Sequence, residues 1–163
     1  MLRKTPLLAV LGLAAAVPLS ATAATAPGTL AVSATVLNVC TVAALPLAFG
    51  SFSPSGSATD STATITVLCT TGTAYRILLG QGTYGSSVTN RKMKDTVSGD
   101  MLSYALYSNA GYSNNWGETI GTDTVAGTGT GLNVTHTVYG RIAPSQYVTP
   151  GVYTDTVAIT VDY

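Results

Sequence analysis

Alternation of apolar and polar residues with a period of two, the mark of a strand half-buried in a sheet, recurs along this chain, and helical periodicity does not. Residues 62–70 are almost wholly β-branched or apolar and set Ile65, Val67 and Cys69 on one face. Residues 74–79 form a short apolar run closed by Gly80, and residues 101–107 place Leu102, Tyr104 and Leu106 on one side. In 132–142, Leu132, Val134, His136 and Val138 alternate with Asn133, Thr135, Thr137 and Tyr139. The cleanest pattern is 153–163, where Tyr153, Asp155, Val157, Ile159, Val161 and Tyr163 alternate with small or polar residues; no further strand follows it in this sequence. A sixth alternation, residues 29–37, lies ahead of the first cysteine and lines up Leu30, Val32, Ala34 and Val36. Gly-, Ser- and Asn-rich connections at 51–60, 80–90, 108–117 and 122–131 separate these segments. Short strands spaced by such turns predict an all-β sandwich of one domain without internal repeats.

Composition narrows the function classes. The 163 residues are 46% hydrophobic and only 9% charged, with a formal net charge of zero. Seven basic residues cannot build the positive stripe that nucleic acid requires, and two of them, Arg3 and Lys4, open the chain. Those two, the apolar run 7–17 and Ala21-Thr22-Ala23 read as a secretory signal over residues 1–23, cut after Ala23. The run is too short for a bilayer span. Removal of the leader leaves five basic and seven acidic side chains, a net charge of about −2. In an oxidising compartment the two cysteines, Cys40 and Cys69, predict one disulfide.

A search for chemistry returns little, and no enzyme, cofactor or metal site is expected. His136 is the one histidine, Asp100, Asp123 and Asp155 are scattered, and no G-x-S-x-G turn occurs. His136 reads as a packed or edge residue of a strand. Asp95 and Asp100 can approach across a turn but do not form a close acid pair. Residues 80–85 match G-x-G-x-x-G, yet no helix or βαβ unit follows, so the glycines read as turn residues. The basic run Arg91-Lys92-Met93-Lys94 reads as a solvated edge or turn. Asn133-Val134-Thr135 is a glycosylation sequon only in a cell with that machinery.

An ordered set of motifs carries a family resemblance. Cys40-Thr41-Val42, Leu47-Ala48-Phe49-Gly50, Cys69 within a strand, Tyr75-Arg76-Ile77, Arg91-Lys92-Met93, 102–107 (LSYALY), Trp116, 138–142 (VYGRI) and 150–157 (PGVYTDTV) resemble the spore coat protein U domain, also the subunit fold of archaic chaperone-usher pili. The resemblance runs from about residue 30 to residue 163. It implies an incomplete immunoglobulin-like β-sandwich lacking its last strand. A periplasmic chaperone fills the gap in transit, an outer-membrane usher handles export, and a neighbouring subunit fills the gap in the fibre. The expected organisation is a signal peptide at 1–23, an N-terminal extension at 24–37 with a donor strand at 29–37, and a pilin domain at 38–163.

On this reading Leu30, Val32, Ala34 and Val36 are donated to the next copy, beside an acceptor strand carrying Val157, Ile159, Val161 and Tyr163. By pattern alone, residues 29–37 are equally the first strand of a sandwich that completes itself. Two further functions share the fold class: a spore or cell coat component, and a monomeric carbohydrate-binding module using Trp116, Tyr112 and Tyr107 as flat platforms.

Overall fold

The computed structural model of the protein describes residues 22–163; residues 1–21, with most of the expected signal peptide, lie outside the described part. The chain divides into a segment ending at Ala34 and a compact unit, Thr35–Tyr163. Residues 22–34 carry no regular secondary structure, and the alternating residues Leu30 and Val32 are 87% and 86% exposed. The strand expected at 29–37 is therefore not formed in the isolated chain, because an alternating segment gains stability only when a partner covers its apolar face and takes its backbone hydrogen bonds.

The compact unit is all-β among the described residues, with nine strands: β1 Cys40–Ala44, β2 Thr59–Cys69, β3 Ala74–Leu79, β4 Arg91–Asp95, β5 Met101–Tyr107, β6 Val125–Thr128, β7 Asn133–Ile142, β8 Tyr153–Thr154 and β9 Ile159–Asp162. A six-stranded sheet runs β1-β2-β7-β5-β4-β8 and a three-stranded sheet β6-β3-β9, every pairing antiparallel. The core lies between them. Ile65 and Val67 of β2, Leu102 and Leu106 of β5, and Val138 and Ile142 of β7 meet Tyr75, Ile77 and Leu79 of β3, all buried. These are the apolar faces that the two-residue period marks. His136 takes its place in that alternation half-buried, its Nε2 2.9 Å from the Tyr75 hydroxyl.

Cys40 and Cys69 form the expected disulfide, facing each other across the first ladder position of β1 and β2. A loop of this length contributes about 3–4 kcal/mol in the chain-entropy account.

Four expectations are corrected. The pattern over 153–163 is not one strand: β8 pairs with β4 and β9 with β3, so the chain crosses from one sheet to the other at residues 155–158. Asp155 makes the crossing. Its carboxylate accepts hydrogen bonds from the amides of Thr83 and Thr156, both 2.8 Å, and from the Tyr104 hydroxyl at 2.6 Å, and no strand neighbour offers that set. The basic run at 91–94 is strand β4, and Arg91 is fully buried. Its charge is solvated by carbonyls: Gly80 and Val88 at 2.8 Å, Leu79 and Trp116 at 2.7 Å. Trp116 is 1% exposed and donates its indole N–H to the Ile77 carbonyl, so it is no stacking platform. The Gly-rich stretch 122–131 contains β6, where the absent side chain of Gly127 lets the Tyr75 ring pack against the strand. The 80–85 glycines are structural, as expected: Gly82 has φ +81 and lies against the Asp155 carboxylate.

Acid should unfold this domain in two stages. Burial lowers the His136 pKa, so the unfolded chain takes up that proton first as pH falls below about 6.5 and a shallow loss of stability begins. Asp60, bound by Arg141, Asp95, bound by Ser98, and Asp100, bound by Thr149, all have carboxyls held below their ordinary range. Their contribution is fully present above that range and is lost as pH falls through their folded values, so the thermal midpoint drops more steeply below about pH 4. Asp95→Asn should lower the midpoint at pH 7 and flatten the acid limb. An unchanged limb in that variant removes Asp95 from the account.

Candidate functional site

Each sheet ends in an uncovered edge on the same side of the domain. β1 pairs only with β2 and β9 only with β3 among the described residues, and the two strands approach one another across the open side. One row of backbone N–H and C=O groups on each is left without a strand partner, a template for an added strand.

Between these edges lies a cleft of about 570 Å³. Its floor is the core itself, Ile65, Tyr104, Leu106 and Val138, and its walls are Ala44 to Leu47 on one side and Val157 and Ile159 on the other. A second cleft of about 620 Å³ shares Leu47, Phe49, Met93 and Tyr153 with the first and extends the groove to Phe52, Val148 and Val152. The rim is apolar and wet: Val42 is 40% exposed, Leu45 67% and Val152 76%. A three-stranded sheet is too narrow to roof a six-stranded one. The segment at 45–52 covers part of the remainder, with Leu47 and Phe49 against Gly140 of β7 and Phe49 edge-on to Tyr104.

Local chemistry holds the groove open in one shape. Ser61 donates to the Ala48 carbonyl at 2.6 Å and Leu45 donates to Thr64 at 3.0 Å, which ties the covering segment to β2. On the opposite wall, Gly80 donates to the Ala158 carbonyl at 2.9 Å, and Asp155 is bound by Tyr104. Burial, then the neighbouring Asp155, pushes the Tyr104 hydroxyl pKa well up, so Tyr104 remains a donor at any physiological pH. Arg91 anchors the residues behind that wall. Burial lowers its pKa against the opposing pull of Tyr104, Glu118, Asp123 and Asp155, and a guanidinium keeps its charge regardless.

Of the residues expected in the acceptor strand, Val157 and Ile159 line the groove. Val161 packs against the core opposite Ile77, and Tyr163 follows the end of β9, 57% exposed. Of the expected donor residues, Leu30, Val32, Ala34 and Val36 are all exposed. Sequence reading missed β1 as the second edge and Leu45, Leu47 and Phe49 as wall. Val42 and Ala44 repeat at two-residue spacing after Cys40, a signal too short to stand alone. Asp95 and Asp100 do approach, with Asp95 donating its amide to the Asp100 carbonyl at 3.0 Å, but their carboxylates are occupied by Ser98 and Thr149. Among the described residues no cluster of three metal-ligating side chains occurs. The groove offers shape, apolar surface and backbone hydrogen bonds, the requirements of strand addition.

Known proteins resemble this chain in sequence and in fold. The Spore Coat Protein U domain profile matches residues 26–160. Protein U of Myxococcus xanthus is 37% identical over 176 aligned positions, covering 98% of each chain. In the crystal structure of the CsuC–CsuE chaperone–tip adhesion subunit pre-assembly complex from archaic chaperone-usher Csu pili of Acinetobacter baumannii, one chain superposes with a TM-score of 0.59 at 21% identity. That match takes in 79% of this chain and spans 40% of the other, and it is a likeness of fold. With the profile spanning both the exposed N-terminal segment and the open two-sheet unit, and a relative matched nearly end to end, this chain belongs to the Spore Coat Protein U domain family.

Proposed function

We propose that the protein is a structural, non-catalytic subunit of an exported surface fibre, polymerised by insertion of residues 29–37 of one copy into the groove of the next. The observation that carries this reading is the apolar groove between the free edges of β1 and β9, with Val157 and Ile159 on its wall. The exposed alternating segment supplies the matching strand. Leu30, Val32 and Val36 are 80–87% exposed, so nearly all of their apolar surface is available for burial. At about 1.5–3 kcal/mol for each of the three, with a smaller part from Ala34, insertion gains on the order of 5–9 kcal/mol before backbone bonds and ordering costs.

The partners follow from the groove. An uncovered apolar cleft is an aggregation hazard during export, which a periplasmic chaperone relieves by lending a strand. An outer-membrane usher exchanges that strand for the next copy's donor, and the product is a fibre that supports adhesion and biofilm formation. The family description also favours a second destination, a spore or cell coat built by the same self-association. Chaperone and usher genes beside this one distinguish the fibre from the coat.

The test is gel electrophoresis of the mature chain, boiled and unboiled, against a chain lacking residues 29–37, each coexpressed with the neighbouring chaperone. A heat-sensitive ladder from the intact chain alone is expected. A stable monomer from the intact chain overturns polymerisation.

A further inference from the structure

We propose that the junction at residues 37–39 disfavours filling of the groove by its own chain, so that a second copy is the preferred occupant. This inference rests on the donor-strand reading above and adds what makes the donation intermolecular.

Filling in cis requires the chain to reverse between Val36 and Cys40 and run antiparallel along the free edge of β1. Opposed residues in such a pair share a face. Cys40, Val42 and Ala44 stand opposite Cys69, Val67 and Ile65, so they are on the core face. A two-residue loop at Asn38 and Val39 sets Leu37, Thr35 and Ser33 opposite those three. The polar face then turns inward, and Leu30, Val32, Ala34 and Val36 turn to solvent. A three-residue loop, 37–39, restores the parity and brings Val36, Ala34 and Val32 to the core face. That loop ends in a residue in the left-handed region, a place for glycine or asparagine, and the residue there is Val39. A β-branched side chain in that region is a steric outlier. A five-residue loop of the right parity consumes Val36 itself.

The same three residues are held in a different course. The Val39 carbonyl accepts from the Thr70 amide at 3.0 Å, and the Val39 amide donates to the Thr70 hydroxyl at 3.2 Å. That hydroxyl lies 3.3 Å from the Leu37 carbonyl, and the hydroxyl of buried Thr73 donates to Asn38 Oδ1 at 3.2 Å. These bonds continue the β1–β2 pairing beyond the disulfide, and a reversal at 37–39 breaks those made by the Leu37 carbonyl, the Asn38 side chain and the Val39 amide. The Val39 side chain is more than half exposed, so packing does not account for it; its branched Cβ restricts the backbone.

The test is a Val39→Gly/Thr70→Val chain refolded without chaperone beside the wild type. The wild type is expected to give the heat-sensitive ladder. In the variant the monomer-to-oligomer ratio should rise about tenfold or more, the scale set by relieving a left-handed β-branched residue. Its groove should refuse a labelled peptide of residues 29–37 until Val32→Asp is added to the same chain. Val39→Gly alone, which keeps the Thr70 and Thr73 bonds, should move in the same direction by less. A variant that ladders like the wild type, or stays monomeric with its groove open to the peptide, overturns the inference. The chain lacking 29–37 is the separate arm: if it binds no peptide, the donor-strand reading itself has failed, and this inference falls with it.

Discussion

A chain carrying Val32→Asp should form no heat-sensitive ladder, while its own groove still accepts a wild-type peptide of residues 29–37. Val32 is 86% exposed in the isolated chain, so the substitution costs the folded unit nothing there. The penalty appears on insertion. The lost valine burial is worth about 1.5–3 kcal/mol, and a carboxylate placed over Ile65, Leu106 and Val138 meets no cation on that floor. Desolvation of an unpaired ion costs several kcal/mol more. A combined loss of about 5 kcal/mol consumes most of the estimated donor contribution and weakens the subunit contact by more than a thousandfold. Ladders at wild-type yield from this chain would contradict donation through the Leu30, Val32, Ala34 and Val36 face.

The second large effect belongs to Arg91. Arg91→Ala should cost about 4 kcal/mol or more, since a well-made bond to a charged donor is worth about 1.5–3 kcal/mol and four carbonyls lose theirs together. Set against a total of about 5–15 kcal/mol for an ordinary domain, that leaves little folded protein. Arg91→Met fills the volume yet should rescue little, because the partners are neutral carbonyls that stay behind unsatisfied. Arg91→Lys should recover part, having three donors at one point instead of a planar fork. Urea unfolding of the groove-filled complex with the donor peptide reads all three. A loss under about 1 kcal/mol for Arg91→Ala would show that water replaces the guanidinium without strain. The effect reaches the groove as well, since Leu79 and Gly80, two of the carbonyl acceptors in this clamp, lie beside Ile159 and Ala158 of the acceptor wall.

The alternating faces of β2, β3, β5 and β7 were legible because a strand buried on one side must put its apolar residues at every second position. The same rule put Val157 and Ile159, and Leu30, Val32, Ala34 and Val36, on apolar faces; the expectation that the first two line a groove came from the family resemblance. Three things were not legible. Arg91 in a run of Lys and Met looks solvated, and only the convergence of carbonyls from residues 79, 80, 88 and 116 makes its burial possible. β6 hides in glycines and threonines because its missing side chain at Gly127 makes room for Tyr75, a residue distant in sequence. The alternation of 153–163 is unbroken across a point where the chain changes sheets, since Asp155 holds an inward position while its partners, Thr83 and Tyr104, come from other elements.

Periodicity, composition and two cysteines by themselves determined an all-β domain, a disulfide between Cys40 and Cys69 and an alternating apolar segment ahead of it. They left open whether that strand completes its own sheet or another's. Tertiary structure decided that the segment stands uncovered and that an apolar groove lies open between two strand edges, because a strand's period states which face must be covered and never by what. The free edges of β1 and β9, and the groove floor between them, come into being only when segments far apart in the chain stop one strand short of closing the fold.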